Sequence, residues 1–203
     1  MIRHAVVSRK TRQSEQTREA LLSRCLQLFA ERGFSNTSVD DIARAAGVTK
    51  GAMYWHFRSK DEIFHAILDR IRQRWHEVVH LPVSERRCPE AQLAQLFDSY
   101  AVLFNESPEI CLFLQQVILD RQHKPFAAQV ARVLATTARF IARMVDEGKA
   151  CGVMRDDVDS VATAHLILGM LAGVSQQATV TRARSLQHLI AEAKAMTLAY
   201  IVR

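Results

Sequence analysis

Two short amphipathic segments meet at Gly47, each opened by a hydroxyl residue, and this arrangement constrains the fold more than any other feature of the chain. Val39, Ile42, Ala43 and Ala46 recur at i, i+3, i+4 and i+7, which predicts a helix over 39–46 with one apolar face. Ser38 stands at its N-cap, and Asp40 and Asp41 place negative charge at the positive end of the helix dipole. Gly47 then supplies the left-handed backbone with which helices commonly end. Thr49 caps a second helix over 49–57, in which Met53 and Phe57, four residues apart, share a face that anchors in a core. Helix, short glycine turn, helix is the helix-turn-helix pattern, and Ala45 and Ala46 are small enough for the two to cross closely.

The second helix carries an unusual outer face. Lys50, Gly51, Tyr54 and Trp55 are left outside, with His56 at the edge. Solvated helix faces normally carry Glu, Lys and Gln. A cation, a bare backbone window and aromatic groups with polar tips suit contact with phosphates and base edges. Upstream, Leu22, Cys25, Leu26 and Phe29 repeat at helical spacing and predict a first helix over about 17–32, closed by Gly33. Ser59 and Glu62 form a capping-box pattern that opens a further helix.

Charge separates this end from the rest. Residues 1–60 hold 11 Lys/Arg against 5 Asp/Glu, while residues 61–203 hold 16 of each, so the whole net charge of +6 lies with the helix-turn-helix. That partition points to a polyanionic partner for one end only. Arg3, Arg9, Lys10 and Arg12 read as a basic arm over 1–14. No apolar run approaches a membrane span and the N-terminus lacks a signal-peptide core, so no membrane role is expected and the chain is expected to stay in the cytoplasm. The four cysteines show no C-x-x-C pairing, and Cys25 reads as a small core residue.

Downstream the pattern stays helical, with no strand alternation and no repeat. A helix from Ser59 to about His80 is expected to stop at Leu81-Pro82, with a loop over 82–89. Further helices are expected from Pro89 to about Glu106, from Ser107 to about Gln122, and from Pro125 to Gly148. Gly148 and Gly152 read as a turn, followed by helices over about 158–179 and 184–202. The helix at 158–179 is apolar around most of its circumference and contains Gly169-x-x-x-Gly173. Such a helix is either central to a domain or shared with another subunit, here in an intersubunit four-helix bundle with the last helix.

Residues 15–75 resemble the TetR family of transcriptional repressors, in particular the AcrR/TtgR-like group that controls multidrug efflux. The matching strings run without gaps: Thr17-Arg18, Leu28-Phe29, Gly33-Phe34, Thr37-Ser38-Val39, Asp41-Ile42-Ala43, Ala46 through Ala52, Tyr54-Trp55-His56-Phe57 and Lys60. The stretch from Glu147 to Gly152, the Asp156–Asp159 cluster and Gly169/Gly173 look like the C-terminal half of such proteins. The resemblance implies an all-α homodimer with a DNA-binding domain over 15–75 and a ligand-binding and dimerisation domain over 76–203. It implies binding to a palindromic operator, release by a small hydrophobic effector, no cofactor and no enzyme activity. Carried over by residue, Thr49, Lys50, Gly51, Ala52 and Trp55 lie nearest base edges, while Ser38, Tyr54, His56 and Lys60 contact phosphates. It also implies a dimer interface on the last two helices, to which Leu166, Gly169, Met170 and Gly173, with Leu189, Ala193 and Met196, are assigned.

Expected pocket walls are Leu103, Phe104, Phe113, Val117, Phe140, Met144 and Met170, with Gln116, Asp120 and His165 as polar members. One motif competes with this reading. His76-Glu77-Val78-Val79-His80 matches H-E-x-x-H, in which two histidines bind zinc and the glutamate activates water. No third-ligand motif follows it, so a metal-dependent regulator or metallohydrolase would need His123 or His165 to complete the site. No Ser/His/Asp motif, phosphate-cradling glycine loop or dinucleotide fingerprint is present.

Overall fold

The computed structural model describes residues 9–120, 124–181 and 186–203. These form helices α1 (Arg9–Arg32), α2 (Val39–Ala46), α3 (Lys50–His56), α4 (Lys60–Trp75), α5 (Leu81–Ser84), α6 (Pro89–Glu106), α7 (Glu109–Leu119), α8 (Lys124–Ala150), α9 (Ser160–Thr181) and α10 (Leu186–Ile201). Among the described residues there is no strand, and one isolated bridge pairs Met154 with Val202. Among the described residues no helix is long and apolar enough to cross a membrane.

The predicted punctuation sits where its chemistry requires. Ser38 Oγ accepts from the Asp41 N–H at 3.1 Å, and the Asp41 carboxylate accepts from the Ser38 N–H at 3.0 Å, a reciprocal capping box at α2. The Ser38 hydroxyl, which donates to the Asp41 carboxylate at 2.5 Å, and then the Ser38 N–H hold the Asp41 carboxyl below its ordinary pKa. Gly47 adopts φ 66° as expected, and Thr49 accepts from the Ala52 N–H at 3.1 Å to start α3.

Leu22, Cys25 and Phe29 of α1 meet Ile42, Met53 and Phe57 in the interior, and the Cys25 thiol is pushed up to about 12 by burial, which leaves it inert. The core does not stop at the expected boundary near residue 75. Phe64 on α4 stacks on Phe126 of α8 with ring centroids 3.9 Å apart, meets Phe34 edge-on at 5.6 Å, and lies 5.7 Å from Phe113 of α7. One apolar interior therefore joins the helix-turn-helix to the downstream helices.

Three expectations need correction. First, the chain is already helical at Arg9, so Arg9, Lys10 and Arg12 belong to α1 rather than to a free arm; Arg3 lies outside the described residues. Second, Pro82 does not stop the α4 helix. Residues His76–His80 form a π-helical turn, and the Leu81 N–H donates to the His76 carbonyl five residues back. This shift of register brings Pro82 into the first turn of α5, where a missing N–H and a fixed φ carry no penalty. The helical path thus continues through α5 to Ser84.

Third, Gly148 is not a turn residue but part of α8, which runs to Ala150; Gly152, with φ 73°, makes the turn. What needs glycine at 148 is packing, because a Cβ there would lie 2.3 Å from Met154 Sδ and 2.6 Å from its Cγ. Gly148→Ala is expected to destabilise the protein by about 1–3 kcal/mol through overpacking, measured by urea unfolding, despite the better helix propensity of alanine. A stabilised variant would refute the packing argument.

Candidate nucleic-acid interface and effector cavity

Helix α3 is held by its inner face. Met53 and Phe57 are fully buried, while Trp55 is 72% exposed and Tyr54 44% exposed. Ser38, Thr49, Lys50, Gly51 and Ala52 are also exposed. The Lys50 ammonium pairs with the Asp40 carboxylate at 2.9 Å, and that bond raises its pKa. The pair is solvent-exposed and therefore weak, so a phosphate can displace the carboxylate. Nothing in the chain demands glycine at 51: a Cβ there would find only Thr49 Oγ1, at 4.0 Å. Any requirement for a bare backbone at this position must come from an outside partner.

Two residues differ from their expected roles. The Lys60 ammonium donates to the Phe34 carbonyl at 2.8 Å and the Thr37 carbonyl at 3.0 Å, and lies 4.1 Å over the Phe34 ring. Partial burial lowers its pKa. Its charge ties the α1–α2 turn to the start of α4, so in this conformation it is turned toward the fold rather than toward a phosphate. His56 is half-buried edge-on to Trp55, and burial followed by the charge of Arg18 depresses its pKa. That shift favours the neutral ring, whose remaining N–H is a hydrogen-bond donor.

A second exposed surface lies on α9 and α10. Leu166 is 71% exposed and Met196 67% exposed, with Val161 and Tyr200, which the sequence reading missed, also open to solvent. Among the described residues no atom comes within 4 Å of a Cβ placed on Gly169 or Gly173, so these helix positions are open within the chain's described part. Leu189 and Met170 are half-buried. Ala193 is a correction: it is buried on the inner face of α10, where its carbonyl accepts from Thr197 Oγ1.

A cavity of about 960 Å³ opens between α4, α6, α7, α8 and α9. Leu103 and Phe104 line it as expected, but the other proposed walls do not. Phe113 and Val117 face the opposite side of α7, toward the aromatic core, while Ile110, Cys111 and Leu114 face the cavity. Met144 is core, Met170 packs against the core, and Phe140 packs edge-on against Trp75 at 5.7 Å. Asp120 accepts from Ser35 Oγ at 2.5 Å, Gln116 lies beside Gly33, and His165 is on the exposed side of α9. Walls that sequence reasoning missed come from every one of these helices and from the π turn, and include the polar residues His76, Gln129 and Arg132. Their periodicity reads as ordinary polar helix face, and only tertiary packing turns it inward. Trp75 Nε1 donates at 3.1 Å to Tyr100 Oη, whose pKa burial pushes up to about 12.

His76 and His80 stack with centroids 4.9 Å apart, and the His80 ring is enclosed by Trp75 and Phe140. Burial, and then the neighbouring His76 and Arg143, lower the His80 pKa. Glu77 accepts from Gln73 at 3.0 Å and lies 3.6 Å from Arg74. Among the described residues no group of three potential ligands converges here, and His123 lies outside them. The H-E-x-x-H string forms a π turn whose side chains are engaged with their own helix and the core.

Residues 21–67 match the family model for bacterial regulatory proteins of the tetR family, and residues 89–194, just over half of the chain, match that of the tetracyclin repressor-like C-terminal domain. The HTH-type transcriptional regulator AcrR of Shigella flexneri is 48% identical over 62 residues, 30% of this chain and 29% of that protein. The chain thus matches less than a third of that relative's length. A TetR transcriptional regulator from Chloroflexus aurantiacus shares the fold at TM-score 0.77 and 23% identity, over 94% of this chain and 98% of the other. A SmeT–triclosan complex does so at TM-score 0.73 and 22% identity, over 93% and 92%. The two domain matches span both halves of the molecule, and the chain belongs to the tetR family of bacterial regulatory proteins.

Proposed function

We propose that the protein is a homodimeric transcriptional regulator of the cytoplasm, a repressor released from a palindromic operator by a small hydrophobic effector. The observation that carries this reading is α3: a helix anchored by Met53 and Phe57 that presents Lys50, Gly51, Tyr54 and Trp55 to solvent. In a dimer joined through α9 and α10, two such helices about 34–36 Å apart enter successive major grooves. Trp75 and His76 on the cavity wall lie on the same helical path as Lys60 at the helix-turn-helix, so an occupant that shifts one end of α4 alters the spacing of the reading helices. By linkage the effector weakens DNA binding by the same factor by which DNA weakens the effector.

Selection of genomic fragments by the purified protein, repeated across salt concentrations, tests the reading. A palindromic sequence is expected to be retained at salt that removes random DNA. Equal salt sensitivity for all fragments would overturn it. Leu166→Glu, placed on the exposed face of α9, is expected to leave the helical content unchanged and convert the dimer to monomer in sedimentation, with loss of palindrome binding. A dimer that survives this substitution would move the interface elsewhere.

A further inference from the structure

The cavity lining sorts by exposure into an apolar floor and a polar rim. Tyr100, Leu103, Phe104 and Leu171 are buried, whereas Arg72, Gln73, His76, Arg132 and Thr136 are exposed at its edge. Asp69 is the single acid among the lining residues, and Arg72 already donates to it at 3.0 Å. Arg132, on α8, differs. Its side chain makes no hydrogen bond or ion pair with any described residue, although it borders a buried apolar floor. His65 and His76 add ring nitrogens to the same rim, and no further carboxylate answers them.

We propose that this cavity takes an amphiphile with an apolar body and one anionic head group, the body lying on Leu103, Phe104 and Leu171 and the head meeting Arg132. The inference rests on the reading of the cavity as the effector site. A cationic head must displace Arg72 from Asp69, an exposed pair, and would then face the Arg72 and Arg132 guanidinium groups on the same rim. A neutral head gains little from a free guanidinium. An anion completes a charge-assisted hydrogen bond that the chain itself leaves unmade. The cavity volume lies at the upper end of the range for small-molecule sites, roughly 300–1,000 Å³, which suits an extended chain or a fused ring system.

The chain supplies its own reporter. Trp75 lines the cavity, and the chain holds two tryptophans, so Trp55→Phe leaves Trp75 as the single indole fluorophore. That variant is titrated with decanoate, decanol and decyltrimethylammonium below their micellar concentrations. Decanoate is expected to bind roughly tenfold more tightly than decanol, with the cation weakest. Adding Arg132→Gln is expected to bring decanoate to the decanol level while decanol is unchanged, which also shows that the cavity is intact. A Trp75 response of equal strength to all three compounds, a decanoate preference that survives Arg132→Gln, or no response to any of them would each overturn the proposal. Operator release is read separately with the unsubstituted chain. Release by decanol without a carboxylate preference leaves the effector-site reading standing and removes the head-group inference. Decanoate bound through Arg132 without operator release supports the inference and sinks the effector-site reading.

Discussion

Phe64→Ala is expected to cost about 3–5 kcal/mol, a large share of the roughly 5–15 kcal/mol that stabilises a domain. The ring is fully buried and meets aromatic rings from three other elements of the chain: Phe34 in the α1–α2 turn, Phe113 on α7 and Phe126 on α8. Truncation removes the transfer free energy of the ring and leaves a cavity that rigid helices fill only in part. It also removes three ring contacts, two of them across the expected domain boundary. Urea unfolding followed by circular dichroism and by tryptophan fluorescence checks this. The two probes, one reporting all helices and the other Trp55 and Trp75, should shift together, because the core is continuous. Separate transitions, with the helix-turn-helix melting first, would show that the two halves are energetically independent. Phe64→Leu, which keeps most of the volume, should lose much less.

Trp55→Ala is expected to leave the unfolding midpoint within experimental error and to weaken operator binding at least tenfold. The side chain is 72% exposed, so its loss removes little from the core and creates no cavity. If it reads a base edge or a thymine methyl, each half-site loses about 1 kcal/mol or more, and a dimer loses that twice. Electrophoretic mobility shift on the selected palindrome, at fixed salt, measures the effect. Gly51→Leu is the companion. The chain has room for the new side chain, and leucine is the better helix former, so folding is not harmed while a protrusion holds α3 off the groove floor. Wild-type affinity in both variants would remove α3 as the reading element.

The N-terminal unit was legible because its signals are local. A cap, a heptad-like apolar stripe and a glycine at a left-handed position each act within a few residues, and Ser38, Gly47 and Thr49 behave as their chemistry demands. Met53 and Phe57 were readable as anchors for the same reason. Lys60 was not: its partners are the carbonyls of Phe34 and Thr37, more than twenty residues earlier, and no pattern announces a carbonyl. Pro82 misled because a proline ends a helix only if its missing N–H and its ring conflict with the register. The π turn at His76–His80, directly upstream, removed that conflict.

The cavity was the least legible part. Choosing bulky apolar residues at helical spacing selected Phe113, Val117 and Met144, which are apolar because they fill the core. The cavity instead combines an apolar floor with rim residues such as Arg132 and Gln129, which on sequence look like any solvated helix face.

By itself the sequence determined an all-α chain, the helix-turn-helix, the basic charge of one end and the family resemblance, since all four rest on periodicity, caps and composition within short windows. Only the tertiary structure decided that one aromatic core crosses the two halves, that Gly148 exists for Met154, that Ala193 is inside and Leu166 outside, and which helix faces enclose the cavity. These depend on which of two nearly equivalent faces of a helix meets which neighbour. The free-energy difference comes from packing between residues far apart in the chain, and no local window contains it.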